Sequence, residues 1–255
     1  MVCRAVIFDF IGTLVYCKNY SMVDSEVKLY SALVSEGFEL EKDRFLDAYK
    51  EAHQKYRKIR YEQFREVTNA VWVSEALCSL GFRTTPEHSG VKGALDIFFQ
   101  DFLSTVELCK GAKQLLSQFA SQYRVGLISN FTYAPVIYKC LQKTGIHSYF
   151  NTVVISEEVE LRKPSPKIFY DTLNCLGVQA HEAVFIGDSP LEDIKGAKSA
   201  GLRTVFKPSQ FNSLEDLVQS KQTPDQIVEE LAELPQRISQ IFAMDPRLRV
   251  SGGEI

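Results

Sequence analysis

Acidic and polar side chains stand directly after short apolar runs at several points in this sequence. Asp9, Ser129-Asn130 and Asp188 each follow such a run. If the runs are parallel strands, their carboxyl ends lie along one edge of the sheet, where these polar groups converge. Carboxylates and other hard oxygen ligands suit Mg²⁺, which also binds water and the oxygens of a substrate phosphate. The pattern therefore predicts a metal-assisted phosphoryl-transfer site at this edge.

The apolar runs indicate a parallel sheet that is covered on both faces. They are rich in β-branched residues and lack the polar alternation of a half-exposed strand. Helical patterns such as residues 111–122 and 166–176 separate them, which predicts the β-α-β alternation of a doubly wound α/β fold. The predicted strands are residues 5–8, 125–128, 153–155, 183–186 and 204–206, with a short last strand at 226–228.

The segment between the first two predicted strands is too long for a simple crossover. Such a connection needs about a dozen residues, whereas residues 17–106 intervene here and carry helical patterns. The candidate helices are 21–36, 41–59, 61–80 and 86–105. We therefore predict an inserted helical cap at 17–106 over the ligand-binding edge of a core formed by 1–16 and 107–243. Residues 244–255 are predicted to be a polar tail.

Composition and charge argue against several classes of partner. A net charge of -3 and an isoelectric point near 5.9 give no overall attraction to nucleic acid or to an anionic membrane. The chain shows no secretory signal pattern and no apolar stretch able to span a bilayer, so a cytoplasmic protein is expected. The six cysteines form no CxxC pair and are predicted to be reduced and mostly buried. The oligomeric state, monomer or homodimer, stays open.

Four short motifs resemble those of the haloacid dehalogenase-like hydrolases, and they occur in the same order along the chain. The motifs are Phe8-Asp9-Phe10-Ile11-Gly12-Thr13-Leu14, then Ser129-Asn130, then Lys163-Pro164, then Gly187-Asp188 with Asp193. The resemblance covers nearly all of the predicted core and implies a Rossmann-like sheet. The helical insertion after the first motif is similar to the C1-type cap of that family.

The resemblance implies catalytic and phosphate-binding roles for four of the matching residues. Asp9 is expected to act as the nucleophile that forms an aspartyl-phosphate. Ser129 and the backbone amide of Asn130 are expected to hold the phosphate, and Lys163 to neutralise its charge. The implied activity is that of a phosphoric monoester hydrolase.

The same resemblance implies a Mg²⁺ site. Asp9, Asp188 and the backbone carbonyl of Ile11 are expected to bind the ion. Asp193 is expected in its outer shell or beside Lys163, and Thr13 in the turn beyond the nucleophile. The role of Ile11 needs no side-chain ligand, because any residue offers the same carbonyl.

Ile11 departs from the family pattern in one important respect. Most phosphatases of the family carry a second Asp here, which protonates the leaving group and later activates water. General acid–base catalysis contributes about 10²–10⁴-fold in rate. Three alternatives stay open: a cap residue such as His53 or a tyrosine donates the proton, bulk water does so, or the intermediate is long-lived. The motif is similar to that of archaeal members grouped with glyceraldehyde-3-phosphate phosphatases, which implies a small phosphorylated metabolite such as a triose or sugar phosphate.

Two further patterns allow more than one interpretation. Ser189-Pro190-Leu191-Glu192 is typical of a capping box, so Glu192 is predicted to support a helix terminus and not to bind metal. A basic cluster in the cap is either a solvated helix face or a device that steers an anionic substrate. This cluster consists of Lys55, Arg57, Lys58, Arg60 and Arg65.

Three other functions compete with that of a phosphatase. A haloacid dehalogenase needs no metal, whereas Asp188 and Asp193 favour Mg²⁺. A phosphonatase needs a cap lysine that forms a Schiff base, and no lysine stands out. A slow or inactive member that binds a phosphorylated ligand and acts as a regulator is favoured only by Ile11, because a binding protein has no need of a nucleophile.

Overall fold

A six-stranded parallel sheet forms the centre of the protein. The computed structural model describes residues 2–243, and its central strands run in the order β5-β4-β1-β6-β7-β8. These strands are β1 (Ala5–Phe8), β4 (Arg124–Ser129), β5 (Thr152–Ile155), β6 (Ala183–Gly187), β7 (Arg203–Phe206) and β8 (Gln226–Ile227). Because β1 and β6 are fully buried, apolar side chains fill both faces there. The predicted doubly wound α/β fold with a helical insertion is confirmed.

Helices cover both faces of this sheet. Ile7 packs with Phe169 and Phe185 on one face, whereas Phe8 stacks on Phe119 on the other. The core helices are α6 (Ala112–Ala120), α7 (Ala134–Thr144), α8 (Ser156–Val159), α9 (Pro166–Leu176), α10 (Lys195–Ser199), α11 (Leu214–Ser220) and α12 (Leu234–Ala243), with short helical turns at His147–Tyr149, Ala180–Glu182, Pro190–Ile194 and Leu231–Glu233.

The helical segment follows β1 and ends before β4. Its helices are α1 (Met22–Ser35), α2 (Lys42–Glu62), α3 (Asn69–Ser79), α4 (Ser89–Phe98) and α5 (Gln100–Thr105). Helix α1 packs on α4, and α2 packs on α3. The predicted helix at 86–105 is wrong in detail, since it begins at Ser89 and is divided at Phe99.

The predicted helix at 61–80 is wrong over its first turns. Helix α2 continues to Glu62, and the chain then reverses at Phe64, whose φ is 53°. Thr68 caps the start of α3 by accepting a hydrogen bond from the Ala70 amide at 3.4 Å. Backbone pairing of this loop with residues 160–162 of the core overrides the helical pattern of the sequence.

Two short strands that the sequence did not predict lie where the chain enters and leaves the helical segment. Strand β2 (Val15–Cys17) pairs antiparallel with β3 (Val106–Leu108), so that Tyr16 lies opposite Glu107. The two connections to the helical segment are therefore hydrogen-bonded to each other. A strand of three residues carries too little alternation to be recognised in the sequence.

Several other sequence-based predictions are tested only in part. The polar tail at 244–255 lies outside the described residues. Between residues 2 and 243, no helix combines the length and apolar character that a membrane crossing requires. The cysteines are free thiols, but only Cys17 and Cys140 are buried, Cys3 and Cys109 are half-buried, and Cys78 and Cys175 are exposed. The prediction that the thiols are mostly buried is therefore wrong.

Candidate active site

The carboxyl ends of three neighbouring strands bring the predicted acidic residues together. Phe8 of β1 lies opposite Leu127 of β4 and Ile186 of β6. The residues that follow these strands therefore emerge side by side at one edge of the sheet. The backbone amide of Asp9 donates to the carbonyl of Ile186 at 2.8 Å, which extends the sheet pairing to the predicted nucleophile.

Lys163 lies at the centre of this group. Its Nζ is 2.7 Å from Asp9 Oδ1 and 2.7 Å from Asp193 Oδ1. The ammonium also donates to the carbonyl of Ile128 at 3.0 Å, and only 1% of the residue is exposed. Burial alone lowers the pKa of Lys163, but the two carboxylates raise it above its usual value, so the amine stays protonated.

Three carboxyl groups converge beside Lys163. One oxygen from each of Asp9, Asp188 and Asp193 lies within 4.8 Å of the others. The Oδ2 atom of Asp9 is buried and has no hydrogen-bond partner among residues 2–243. In contrast, Asp188 Oδ2 accepts hydrogen bonds from the Ser209 hydroxyl at 2.5 Å and from the Asn212 amide at 3.2 Å. The site thus offers one oriented and one free carboxylate oxygen to a ligand.

The carboxyl groups carry more negative charge than Lys163 compensates. Burial raises the pKa of Asp9 to about 6, even though Lys163 lowers it. Burial likewise raises the pKa of Asp188 to about 6, with a further contribution from Asp193, and that of Asp193 to about 7. A divalent cation supplies the missing positive charge in such a cluster. The donor set and the free oxygen of Asp9 fit a Mg²⁺ ion.

Two glycines allow the carboxylates to lie directly against the backbone. Gly12 has a φ of +96°, and a Cβ built on it would lie 2.3 Å from Asp188 Oδ2. A Cβ on Gly187 would lie 2.3 Å from Asp193 Oδ2. Because real Cβ contacts are never this short, a side chain at either position would displace a carboxylate of the site.

Two of the predicted phosphate-binding residues, Ser129 and Asn130, line a pocket of about 280 Å³ together with the acidic residues. Ser129 is 1% exposed and ends β4. The side chain of Asn130 is bound to the protein itself, since its Oδ1 accepts from the Lys163 amide at 2.8 Å and its Nδ2 donates to the Lys163 carbonyl at 2.9 Å. Asn130 therefore holds the lysine segment in place, while its backbone amide stays the predicted phosphate ligand.

The remaining predicted site residues differ in how closely they join this group. Ile11 is half-buried and lines the same pocket as Asp9. Thr13 is fully buried, and within the described part of the chain its hydroxyl has no hydrogen-bond partner. Because this hydroxyl makes no hydrogen bond to the carboxylates, the supporting role of Thr13 stays a prediction.

The capping-box prediction for Glu192 is wrong. Ser189 Oγ accepts from the Glu192 amide at 3.2 Å, but the return bond, from the Ser189 amide at 2.9 Å, goes to Asp193. Glu192 instead pairs with Arg162 at 2.8 Å and accepts from Asn130 Nδ2 at 2.8 Å. Asp193 binds both the helix terminus and Lys163, because its Oδ2 accepts from the Ser189 amide while its Oδ1 pairs with Lys163 Nζ.

The structure contains a cap–core ion cluster that the sequence did not predict, formed by Arg60, Glu66, Arg162 and Glu192. Glu66 has a fully buried side chain and lies 2.5 Å from Arg60 Nε and 3.3 Å from Arg162 Nη1. Its Oε2 also accepts from the Ser156 hydroxyl at 2.6 Å. No spacing rule relates Glu66 to Arg162, so only the tertiary structure reveals the pair.

Backbone pairing reinforces this cluster. The Arg162 amide donates to the Phe64 carbonyl at 3.1 Å, and the Glu66 amide donates to the Glu160 carbonyl at 3.1 Å. Arg65 and Leu161 form an antiparallel bridge between these bonds. The loop after α2 is thereby joined to the segment that carries Lys163.

Four residues of the predicted basic cluster of the cap are exposed, namely Lys55, Arg57, Lys58 and Arg65, whereas Arg60 is half-buried. Arg60 is drawn into the cap–core ion cluster, and Lys55 pairs with Glu75 at 2.8 Å. Arg57 lies over the ring of Tyr61 at 4.9 Å. His53 packs between Tyr49 and Trp72, and burial, with Arg60 and Arg57, lowers its pKa. A neutral imidazole in this setting is a poor proton donor, and within residues 2–243 it makes no hydrogen bond with Asp9.

Comparison with known proteins places this geometry in a family. Residues 3–201 match the family model described as haloacid dehalogenase-like hydrolase. Over 234 residues the chain is 26% identical to a glyceraldehyde 3-phosphate phosphatase of Methanothermobacter thermautotrophicus, covering 91% of this chain and 97% of that protein. A 65-residue stretch, 26% of this chain and 28% of the relative, is 51% identical to the enzyme of the same name from Methanopyrus kandleri.

A solved structure agrees with the fold. The 2-haloacid dehalogenase of Pseudomonas syringae pv. tomato DC3000 superposes with a TM-score of 0.68 at 21% identity, over 94% of this chain and 99% of that one. The phosphatase names of the sequence relatives support the prediction of a phosphoric monoester hydrolase. Because the family model spans most of the core and all four motifs, the chain belongs to the haloacid dehalogenase-like hydrolases.

Proposed function

We propose that the protein is a Mg²⁺-dependent phosphatase of small phosphorylated metabolites in which Asp9 is the nucleophile. The observation that carries this proposal is the position of Lys163 between Asp9 and Asp193 with Asp188 alongside. Phosphoryl transfer requires mainly positioning and charge neutralisation, and this group supplies both. The names of the archaeal relatives favour a triose or sugar phosphate as substrate.

Each residue of the site has a defined part in this reaction. Asp9 Oδ2 attacks phosphorus, the bond from phosphorus to the alcohol oxygen breaks, and the alcohol leaves with a proton from solvent. Water then cleaves the aspartyl-phosphate and regenerates Asp9. Lys163 neutralises the transferring group, while Ser129 and the backbone amide of Asn130 bind its oxygens.

Asp9, Asp188 and the carbonyl of Ile11 are the proposed holders of Mg²⁺, and Asp193 orients Lys163. The ion contributes charge neutralisation of the phosphate when it is bound. A dehalogenase has no use for this concentration of carboxylates, which argues against that alternative. Location in the cytoplasm and the oligomeric state stay predictions.

A phosphate-release screen tests the proposal. Wild type and Asp9→Asn are compared on triose phosphates, sugar phosphates and 4-nitrophenyl phosphate, with MgCl₂ or with EDTA. We expect release only by wild type with Mg²⁺, and a phosphoryl mass increment on the peptide that contains Asp9 after rapid acid quenching. Equal release by Asp9→Asn, or full release in EDTA, would rule the mechanism out.

One observation favours the alternative of a slow or inactive phospho-ligand-binding protein. Ile11, which lines the site, has an apolar side chain with no proton to donate. In that case the quenched wild-type enzyme keeps its phosphoryl label for minutes or never acquires it, while the ligand still raises the melting temperature. Rapid turnover of the label excludes this alternative.

A further inference from the structure

A cavity of about 370 Å³ lies behind the Gly12 turn, outside the pocket that holds the three carboxylates. Among the described residues, none lines both spaces. Two of its wall residues nevertheless lie against Asp188. A Cβ on Gly12 would be 2.3 Å from Asp188 Oδ2, and Ser209 Oγ donates to the same oxygen at 2.5 Å. The cavity is therefore a separate space directly behind a proposed metal ligand.

Lys207 lines this cavity as a buried cation without a negatively charged partner. Only 8% of the residue is exposed. Its Nζ donates to the carbonyls of Gly12 and Pro208, both at 3.4 Å, which is longer than the usual range of about 2.7–3.2 Å. Within residues 2–243 it forms no ion pair. Burying a charge is costly unless the charge is paired, so a bound anion would supply the missing partner.

The start of helix α6 adds further donors beside Lys207. Cys109 and Lys110 line the cavity, and the helix begins at Ala112. Its N-cap residue is Gly111, which has no side chain to cap the first amides. Unpaired amides at a helix N-terminus are a ready site for an anion. A buried ammonium, the exposed ammonium of Lys110 and an uncapped helix terminus thus adjoin one cavity.

The carboxylates of the cavity wall restrict the kind of anion that can bind. Glu229 and Glu230 line the cavity and are exposed. The Glu230 carboxylate is already bound to the backbone in the capping box that it forms with Glu233. Water and salt screen exposed charges, so these two weaken the attraction of a small anion less than the buried Lys207 strengthens it. A polyanion would have to pass both carboxylates and is disfavoured.

We propose that this cavity binds a phosphate group, either as inorganic phosphate or on a small phosphate ester, at a second site that is distinct from that of phosphoryl transfer. Lys207 and Lys110 donate charge-assisted hydrogen bonds to it, and the first amides of α6 complete the site. A phosphate group accepts hydrogen bonds on several sides and therefore suits donors that surround it, whereas a carboxylate offers two oxygens in one plane.

A phosphate in this cavity should act on the proposed Mg²⁺ site, and this part of the inference rests on the proposed function. Burial raises the pKa of the Cys109 thiol in the cavity wall, while Lys207 lowers it and Asp188 raises it further. The cavity and Asp188 therefore lie within electrostatic reach of each other. An anion that pairs with Lys207 cancels a positive charge near Asp188 and makes the carboxylates more attractive to a divalent cation. By linkage, Mg²⁺ strengthens phosphate binding by the same factor.

Equilibrium dialysis with radiolabelled inorganic phosphate in EDTA tests the second site. We expect saturable binding that Lys207→Met weakens about tenfold or more, because a charge-assisted hydrogen bond is lost. Lys110→Gln, an exposed change that leaves folding intact, should weaken it about threefold. Ser129→Ala, at the proposed site of phosphoryl transfer, and the exposed control Lys92→Met should leave it unchanged. Binding that is lost in Ser129→Ala and indifferent to both lysine variants would overturn the proposal.

Competition tells the two sources of the phosphate group apart. Phenylphosphonate is a stable analogue of a phosphate ester and is added with the labelled phosphate. Displacement at lower concentrations than unlabelled phosphate requires identifies an esterified group as the ligand. Displacement by phosphate alone identifies the free ion. Absence of displacement by either compound would show that the label is not held at a specific site and would refute the proposal.

A magnesium titration separates this inference from the proposed catalytic function. Without phosphate, Lys207→Met should bind Mg²⁺ about fivefold more tightly than wild type in isothermal titration, whereas Lys92→Met should match wild type. Equal affinities in all three proteins would refute the coupling. Phosphate binding that depends on Lys207, in a protein that neither binds Mg²⁺ nor hydrolyses any ester, would refute the phosphatase and retain the second site. Mg²⁺-dependent hydrolysis with phosphate binding that ignores Lys207 and Lys110 would refute the second site alone.

Discussion

Replacing Glu66 by glutamine tests whether the cap–core ion cluster stabilises the fold. The glutamine keeps the shape of the side chain but removes its charge, which leaves Arg60 and Arg162 buried beside a neutral group. Their side chains are 11% and 3% exposed, and that of Glu66 is fully buried. Removing one partner of a buried ion pair costs about 3–5 kcal/mol.

The structure indicates the lower end of this range. Arg162 keeps a second carboxylate partner in the variant, because Glu192 lies 2.8 Å from its Nη2. We therefore expect Glu66→Gln to lower the free energy of unfolding by about 3 kcal/mol. For a chain of this size, about 2–4 °C per kcal/mol corresponds to a fall of roughly 6–12 °C in Tm.

Urea unfolding and thermal melts of four variants measure this effect. The control is Glu75→Gln, which removes a carboxylate that pairs with Lys55 at 2.8 Å but is 34% exposed. An exposed pair contributes about 0–1 kcal/mol, so this variant should stay close to wild type. Arg162→Met and the double variant with Glu66→Gln complete a cycle, in which we expect coupling of about 0.5–3 kcal/mol. Equal small losses in Glu66→Gln and Glu75→Gln would refute the reasoning.

Three further predictions concern the site itself. Ile11→Asp should raise kcat/KM for alkyl phosphates by about 10²–10⁴-fold and that for 4-nitrophenyl phosphate much less, because only an alkoxide leaving group needs the proton; equal effects on both esters would contradict this. Gly12→Ala should lose Mg²⁺ affinity, since its Cβ would lie 2.3 Å from Asp188 Oδ2. Gly37→Ala is the control, because Gly37 has a similar φ of +94° but no atom lies within 4 Å of an added Cβ. Both variants should lose about 1–3 kcal/mol of stability in thermal melts from backbone strain, and only Gly12→Ala should lose Mg²⁺ affinity in isothermal titration. Burial raises the carboxyl pKa values at the site from 3.8 to about 6 or 7. In the metal-free protein these groups therefore contribute fully to stability below about pH 4, where they are protonated, and this contribution is lost as the pH rises to 7. Mg²⁺ should therefore raise Tm more at pH 7.5 than at pH 5, and an equal shift at both would speak against carboxylate ligation.

Local patterns in the sequence were sufficient to predict the sheet and the position of the acidic residues. The strands are continuous apolar runs, and a run of this kind is stable only when both of its faces are covered. Once the strands are parallel, the residues that follow them must share one edge, which is why the sequence alone places Asp9, Ser129 and Asp188 together. These features depend on neighbours in the chain.

The features that the sequence could not determine depend on residues far apart in the chain. The pattern at 61–80 is helical, yet the chain turns at Phe64 because backbone bonds to residues 160–162 and the buried charge of Glu66 outweigh a weak local preference. Ser189-Pro190-Leu191-Glu192 has the sequence of a capping box, but the Glu192 carboxylate pairs with Arg162. This charge-assisted interaction is stronger than the hydrogen bond to a backbone amide that the capping box would provide.

By itself, the sequence determined which polar residues stand at the ends of the strands, because motif spacing and strand ends are local properties. The tertiary structure alone decided what surrounds them: the pairing of β2 with β3, the cap–core ion cluster, and an aromatic cavity built from α2, α3 and the loops of the core. Shape and charge of that cavity arise from packing between distant segments, and no period in the sequence encodes them.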